Sequence, residues 1–405
     1  MPRPRSIAII GAGPSGLFAA EILASAGHRV TIYDHMPTPA RKFLIAGRGG
    51  LNLTHSESLD AFIPRYGAAA DWLAPCIRAF TPDDLRSWCE GLGVETFIGT
   101  SGRVFPRSMK AVQLLRAWLK RLEQLGVIYA PRHRWFGWEG DALTFANTAT
   151  HHTIHVRADA TLLALGGASW PRLGSDGAWT TILAAKGIAI APLRPANCGF
   201  TAAWSAYLRE RFAGQPLKPV SITHAGISRQ GEAMITENGI EGGVIYALSS
   251  QLREAIARDG TTIIHLDVRP AMTHDALAQK LQSRGNKSLP SFLRSAGFSP
   301  LVVALLHECV PPFMLKTVSA ENLAALLKAL PLTLTGTSGM ARAISSAGGI
   351  SREELTDDFM LRKKTGVFVA GEMLDWEAPT GGYLLQACFS TAVSAAQGMM
   401  RFCEG

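Results

Sequence analysis

An apolar run, Ile7 to Ile10, meets the segment Gly11-Ala12-Gly13-Pro14-Ser15-Gly16. An apolar helical stretch follows, and a second β-rich run, Val30 to Tyr33, closes on Asp34, 23 residues beyond Gly11. A G-x-G-x-x-G string alone says little. Set between a strand and a helix, with an acid about 20 residues on, it has the context that the dinucleotide-binding fingerprint requires. Each residue type has a task. Gly11 permits the tight turn out of the strand, Gly13 lets a pyrophosphate approach the backbone, and Gly16 lets helix and sheet pack closely. Pro14 suits the first helical turn. Ser15 and its neighbours offer free N–H groups and the positive end of the helix dipole to an anion. The Asp34 carboxylate can accept hydrogen bonds from a ribose diol.

The rest of the chain bounds the class. At 405 residues it is long enough for two or three domains. Its 47% hydrophobic and 18% charged residues suit a globular enzyme. No apolar run of about 18 residues is present, so no membrane span is expected. The basic, then apolar, N-terminus runs straight into the glycine motif and reads as the first strand, not a signal peptide. Six widely spaced cysteines include no C-x-x-C pair. They fit buried free thiols and a cytoplasmic location, and no metal site is expected. The net charge of +8 could suit an anionic partner, yet Lys and Arg are scattered in short groups such as Arg362-Lys363-Lys364.

Residues 35–55 are rich in proline and glycine and read as an extended loop. Within it Arg41 and Lys42 could reach the phosphates or adenosine half of a dinucleotide. The backbone of 47–50 could lie against a flat ring, and Asn52 offers a directional amide. Thr81-Pro82-Asp83-Asp84 has the composition of a helix start. Residues 109–125 form a second helix with an apolar face, and between the two helices Gly102 to Pro106 reads as a tight connection. Thr161 to Leu165 is a buried parallel strand ending in Gly166-Gly167, where backbone must pass close to something.

From about residue 191 prolines punctuate short β-like runs, including 220–223, 231–249 and 261–268, and residues 272–330 turn helical. After 340 the α/β character returns. The strand Val367 to Ala370 runs into Gly371-Glu372, with Asp375 close behind, then Gly381-Gly382 and a small-residue helix from Tyr383 to Gly398. Here Glu372 would face a sugar-like hydroxyl chain, and the N–H groups near Tyr383 and Leu384 an electron-accepting ring edge. The expected fold is α/β, with a discontinuous Rossmann-type domain over 1–190 and 340–405. An inserted β-rich domain would take 191–270 and 331–339, and a small helical subdomain 271–330.

The segments GAGPSG, PARKFLIAGRGGLNLTH, GRVFP, LLALGGASWPRLGSDG, AISSAGGI and GEMLDWEAPTGGYLLQA together resemble the bacterial BaiN/YhiN-type flavoproteins. That group of NAD(P)/FAD-dependent oxidoreductases includes an aminoacetone oxidase and a bile-acid intermediate reductase. The resemblance runs in order along nearly the whole chain. It implies FAD as cofactor. No second G-x-G-x-x-G follows a strand, so a dedicated NAD(P) domain is not visible and the electron donor stays open; NAD(P)H could still visit the substrate cleft transiently. By position, Gly11, Gly13, Pro14, Ser15 and Gly16 would hold the pyrophosphate and Asp34 the adenosine ribose. Arg41, Lys42 and Asn52 would continue the path, and Gly166-Gly167 would pass near the adenosine diphosphate. Gly371 and Glu372 would bind the ribityl-phosphate part, with Asp375 nearby, and Gly382, Tyr383 and Leu384 would lie at the flavin.

The chain departs from the family at three places. Many members carry Arg-Cys-Asn where this chain has Gly50-Leu51-Asn52, Thr-His at Thr236-Glu237, and Gly-Gly-Tyr-Asn at 381–384. Nucleophilic, basic and hydrogen-bonding groups are lost, so no member's substrate transfers. The expected activity is an FAD-dependent reductase or dehydrogenase acting on a small organic substrate between the FAD and inserted domains. The alternatives are a flavin oxidase returning electrons to oxygen, an RNA-modifying or RNA-binding flavoprotein, and a flavin-binding regulator without turnover. A small molecule is favoured over nucleic acid because no compact basic tract interleaved with stacking aromatics is present. Trp135 and Trp138, beside His133 and Arg134, fit a basic β-hairpin next to an adenine. No residue is marked as catalytic acid or base; Glu237 and Asn52 are the first polar residues to test.

Overall fold

The computed structural model describes residues 3–47 and 49–405. The chain divides into two compact units, one formed by the residues up to Arg194 with Ser345–Gly405, the other by Pro195–Ile344.

The first unit is organised by five parallel strands: β1 (Ser6–Ile10), β2 (Arg29–Tyr33), β3 (Ile128–Ala130), β4 (Ala160–Leu163) and β5 (Val367–Val369), in the order β5–β4–β1–β2–β3. All four residues of β4 and all three of β5 are buried. Continuous apolar runs of this kind belong to strands covered on both faces. Ile7 pairs with Val30 on one side and Ala160 on the other. This places β1 at the centre and aligns the carboxyl ends of β1, β2 and β4. Helix α1 (Pro14–Ser25) follows β1, and the C-terminal helix, here α3 (Tyr383–Glu404), packs on it. Phe18 of α1 meets Phe389 of α3 edge to face, ring centres 4.9 Å apart. A three-stranded antiparallel sheet of His133–Glu139, Ala142–Asn147 and Thr153–Val156 completes this unit's main parts.

Three local readings of the sequence are corrected here. The loop of 35–55 contains a short helix, α2 (Arg41–Ala46), anchored by the buried Phe43 and entered through Ala40 in the left-handed region. Its flanking prolines and glycines hide it in composition. Arg103–Pro106 is the middle strand of a three-stranded antiparallel sheet with Thr54–His55 and Thr96–Ile98. Only Val104 and Pro106 are buried in it, so four residues cannot display a period. Helix α3 continues past Gly398 to Glu404. Gly398 is a contact residue, not a stop: a Cβ there would overlap the Asp358 carbonyl. The capping signal at Thr81 is met by a full capping box, with Asp84 as its second member.

The second unit is built on a seven-stranded sheet, antiparallel throughout, running Leu330–Leu334, Thr262–Asp267, Pro216–His224, Ile227–Thr236, Gly239–Glu241, Phe200–Thr201, Gly336–Thr337. Five helices between His274 and Lys328 are inserted between two adjacent strands of it, and Lys328 pairs with Asp267 at 2.6 Å. Residues 231–249, read as β and turn, also hold the helix Gly243–Tyr246 and the start of the helix Ser249–Asp259. Among the described residues all six cysteines are free thiols, and no helix is long and apolar enough to cross a membrane.

Candidate functional site

The carboxyl ends of β1, β2 and β4 open onto a cleft. Crevices at this edge of a parallel sheet are where such folds take ligands. Gly11 sits at φ +108° against the backbone of Ala164, where a side chain would overlap the carbonyl oxygen. A Cβ on Gly16 would overlap the Gly11 carbonyl in turn. Gly13 differs: a Cβ there would have no described atom within 4 Å, because it would point into open space beside the N-terminus of α1. Among the described residues no side chain caps that terminus. Gly13 and Pro14 of that terminus line the cleft, and an uncapped helix start is an anion-binding end.

Asp34 projects into the cleft from the end of β2. One carboxylate oxygen accepts from the Ala12 amide and the other from the Met36 amide, both at 2.7 Å. Each oxygen keeps a lone pair for a ligand hydroxyl. His35 beside it is held below its ordinary pKa chiefly by burial, with the Asp34 charge opposing. The Arg41 side chain donates to Thr38 through one Nη, while its buried Nε has no partner among the described residues. The buried hydroxyl of Ser175 is likewise unpaired. Both residues line the cleft. Buried polar atoms without partners are uncommon in native proteins and call for a ligand or water. Lys42 donates to Glu372 at 2.7 Å and to Ser169 at 2.6 Å.

The cleft thus gathers Gly11, Gly13, Pro14, Asp34, Arg41, Lys42, Gly166 and Glu372 from the sequence-derived set. The other members lie elsewhere. Gly16 packs α1 on the turn. Ser15 donates to the Cys388 carbonyl and fills the space where Gly371 lacks a side chain. Gly371 itself donates to Thr391. Gly167 packs on Ser346, whose hydroxyl accepts from the Ala168 amide. Asp375 is half-buried, its amide bonded to Ile350, and burial raises its carboxyl pKa.

Asn52, Gly382, Tyr383 and Leu384 do not line the cleft; the last three belong to the start of α3. Gly382, at φ +100°, lies against the Thr54 backbone with no room for a side chain. The Tyr383 ring does not project freely. It is buried, stacks on His55 at 5.5 Å, and donates its hydroxyl to Glu57 at 2.6 Å. The Oδ1 of Asn52 is buried without a partner among the described residues. Arg48, inside the glycine stretch expected at a flat ring, lies outside the described residues. Leu51, where many family members carry Cys, is fully buried in the core. Glu237 is exposed on the turn between Ile227–Thr236 and Gly239–Glu241.

Sequence reasoning missed Met36, Thr38 and Leu173 at the cleft, which carry no motif. His133 and Trp135 line it from the antiparallel hairpin, and Trp138 packs edge-on against Trp135. Gly174 and Ser175 come from the second glycine cluster after β4, which could have been read as cleft wall.

A family model described as HI0933-like protein Rossmann domain matches residues 5–398. The chain is 25% identical to a 3-dehydro-bile acid delta(4,6)-reductase of Clostridium scindens, over 96% of this chain and 98% of that protein. It is also 25% identical to a ribosomal RNA dihydrouridine synthase of Escherichia coli, over 97% of each. Among solved structures, a flavocytochrome c3 fumarate reductase in its open conformation aligns with TM-score 0.54 and 11% identity, over 100% of this chain and 79% of that one. A 3-ketosteroid delta1-dehydrogenase from Sterolibacterium denitrificans aligns with TM-score 0.53 and 11% identity, over 98% and 99%. At such identities the two structures speak to the fold alone.

Proposed function

We propose that the chain, which belongs to the HI0933-like Rossmann-domain family, is an FAD-dependent oxidoreductase acting on a small organic substrate. The observation that carries this reading is the cleft: an uncapped helix end beside the open face of Gly13, next to a carboxylate and two buried polar atoms that have no partner among the described residues. That donor set matches the adenosine diphosphate half of a dinucleotide. The N–H groups of α1 would hold the pyrophosphate, Asp34 the ribose diol, and Arg41 and Ser175 the polar atoms between. Lys42 and Glu372 would meet the ribityl-phosphate portion. When bound, FAD supplies the exchange of a hydride or electron pair. The protein's part is to orient it, exclude water and stabilise charge at the ring, the last from the N–H groups that begin α3.

The names of two curated relatives support one direction of transfer. One name is that of a delta(4,6)-reductase, and the other describes making dihydrouridine, so both describe adding hydrogen across a carbon–carbon double bond. This supports a reductase over an oxidase. NAD(P)H is the proposed donor, visiting transiently, because the sequence has no second G-x-G-x-x-G after a strand. The test is an anaerobic visible spectrum of the FAD-loaded protein before and after NADH or NADPH. Rapid bleaching of the flavin band supports a nicotinamide-driven reductase. A chain that neither retains nor takes up FAD sinks the proposal. Peroxide formed in step with substrate loss would favour the oxidase.

A second reading is favoured by one observation: two relatives, at 25% and 24% identity, carry the ribosomal RNA dihydrouridine synthase name. Under it the acceptor is a uracil ring in RNA. Incubation of unmodified ribosomal RNA with the protein and NADPH, followed by mass spectrometry, separates the readings. A mass gain of two hydrogens on a single uridine selects RNA, and an unchanged RNA leaves the small molecule.

A further inference from the structure

The start of α3 is held by a charged cluster that the cleft does not include. Tyr383, the first residue of the helix, is fixed at both ends. Its hydroxyl donates to Glu57 at 2.6 Å, and its own carbonyl accepts from the buried Tyr66 hydroxyl at 2.8 Å. Arg65 grips the same Glu57 carboxylate in bidentate fashion, at 3.1 Å and 2.8 Å, and its guanidinium lies 5.9 Å from the Tyr383 ring centre. Glu57 is only 14% exposed, whereas Arg65 is 46% exposed. Gly382, directly before the helix, rests on Thr54, which is fully buried and whose Oγ1 has no partner among the described residues.

Through the Tyr383 hydroxyl, Glu57 brings a carboxylate charge to the side chain that begins α3. At an end meant to face developing negative charge, that same carboxylate opposes the reaction. We infer that Glu57 and Arg65 are positioning residues for electron transfer: Glu57 anchors Tyr383 and so aims the first N–H groups of α3, and Arg65 cancels the charge that this anchor introduces. The inference rests on the reading that FAD binds with its ring at the start of α3. The two residues act on charge with opposite sign. Removing the carboxylate leaves Arg65 unopposed and makes reduction of the ring easier. Removing the guanidinium leaves Glu57 unopposed and makes it harder.

The experiment is an equilibrium titration of FAD-loaded wild type, Glu57→Gln and Arg65→Gln with dithionite against a redox dye. At a fixed dye potential, the ratio of reduced to oxidised flavin is expected to rise roughly threefold or more in Glu57→Gln and to fall by a similar factor in Arg65→Gln. Arg65 is the more exposed partner, so its variant keeps the test decisive if Glu57→Gln does not fold. Equal ratios in the FAD-loaded variants, or shifts in the same direction, overturn this inference while the FAD reading stands. A wild-type chain that binds no FAD overturns both.

Discussion

Lys42 and Glu372 stand 330 positions apart in sequence and meet at 2.7 Å on the wall of the cleft. Lys42 comes from α2, in the loop after β2, and Glu372 from the turn just after β5. A second bond from Lys42 to Ser169 brings in the segment after β4. One ammonium group therefore ties together three chain segments that the Rossmann sheet delivers to the same edge. The pair is shielded, with the Glu372 side chain 14% exposed and that of Lys42 27%.

Breaking such a pair from one side leaves a shielded charge without a counter-ion. Lys42→Met and Glu372→Gln are each expected to lower unfolding stability by about 1–3 kcal/mol. The double variant is expected to lose less than the sum of the two. Urea unfolding of the four proteins measures this coupling, and strict additivity would show that the contact contributes nothing.

Gly13 and Gly16 separate folding from binding. A methyl on Gly16 has nowhere to go, so Gly16→Ala is expected to cost about 1–3 kcal/mol or more through overpacking. A methyl on Gly13 meets no described atom, so Gly13→Ala should unfold like wild type. It should nevertheless bind FAD roughly tenfold or more weakly, about the loss of one charge-assisted hydrogen bond. Fluorescence titration with FAD decides the point, and wild-type affinity in Gly13→Ala would remove the pyrophosphate from this place.

The cleft's core was legible because its residues are short-range necessities. Gly11, Gly13 and Asp34 occupy a strand–turn–helix–strand unit whose geometry follows from local sequence. The neighbours supplied by distant segments were less visible. Thr38 and Met36 are ordinary residues on a loop, and their place depends on how residues 35–40 fold against β1 and the hairpin. The unit's antiparallel sheet through Arg103–Pro106 was missed because two- to four-residue strands leave too few positions for alternation to register. Tyr383 was expected at a ring edge through its backbone, but the network holding its side chain joins residues 55–66 to residue 383. Nothing local in sequence announces a contact of that range.

Asp34 tests whether a motif acid is structural, ligand-binding, or both. Asp34→Asn keeps one carbonyl acceptor but turns an amide donor toward the Ala12 or Met36 N–H, so a loss of about 1–3 kcal/mol is expected. If the carboxylate also holds the ribose, the stabilisation gained on adding FAD should shrink as well, since that gain follows ligand concentration over Kd. Thermal unfolding with and without FAD reads both effects. An unchanged FAD-induced shift in Asp34→Asn would assign Asp34 a structural role only.

Glu57 gives a pH dependence whose sign is fixed. The hydrogen bonds from Arg65 hold its carboxyl below the ordinary 4.5, against the opposing effect of burial, with the Tyr383 hydroxyl and the Arg65 and His55 charges assisting. A carboxyl with a depressed folded pKa binds fewer protons in the folded state than in the unfolded state over the window between the two values. Its stabilisation is therefore fully present above pH 4.5 and is lost as pH falls through the lowered folded value. Glu57→Gln has no proton to bind there. The difference in unfolding free energy between wild type and Glu57→Gln should be constant from pH 7 down to about 5 and narrow steadily below. Other carboxylates titrate in the same range but are common to both proteins, so the difference isolates Glu57. Denaturant unfolding at half-unit steps from pH 3 to 7 measures it. A difference that stays flat across pH 3 to 5 would mean that the Arg65 and Tyr383 contacts do not hold Glu57 ionised, and the charge balance around Tyr383 would have to be drawn differently.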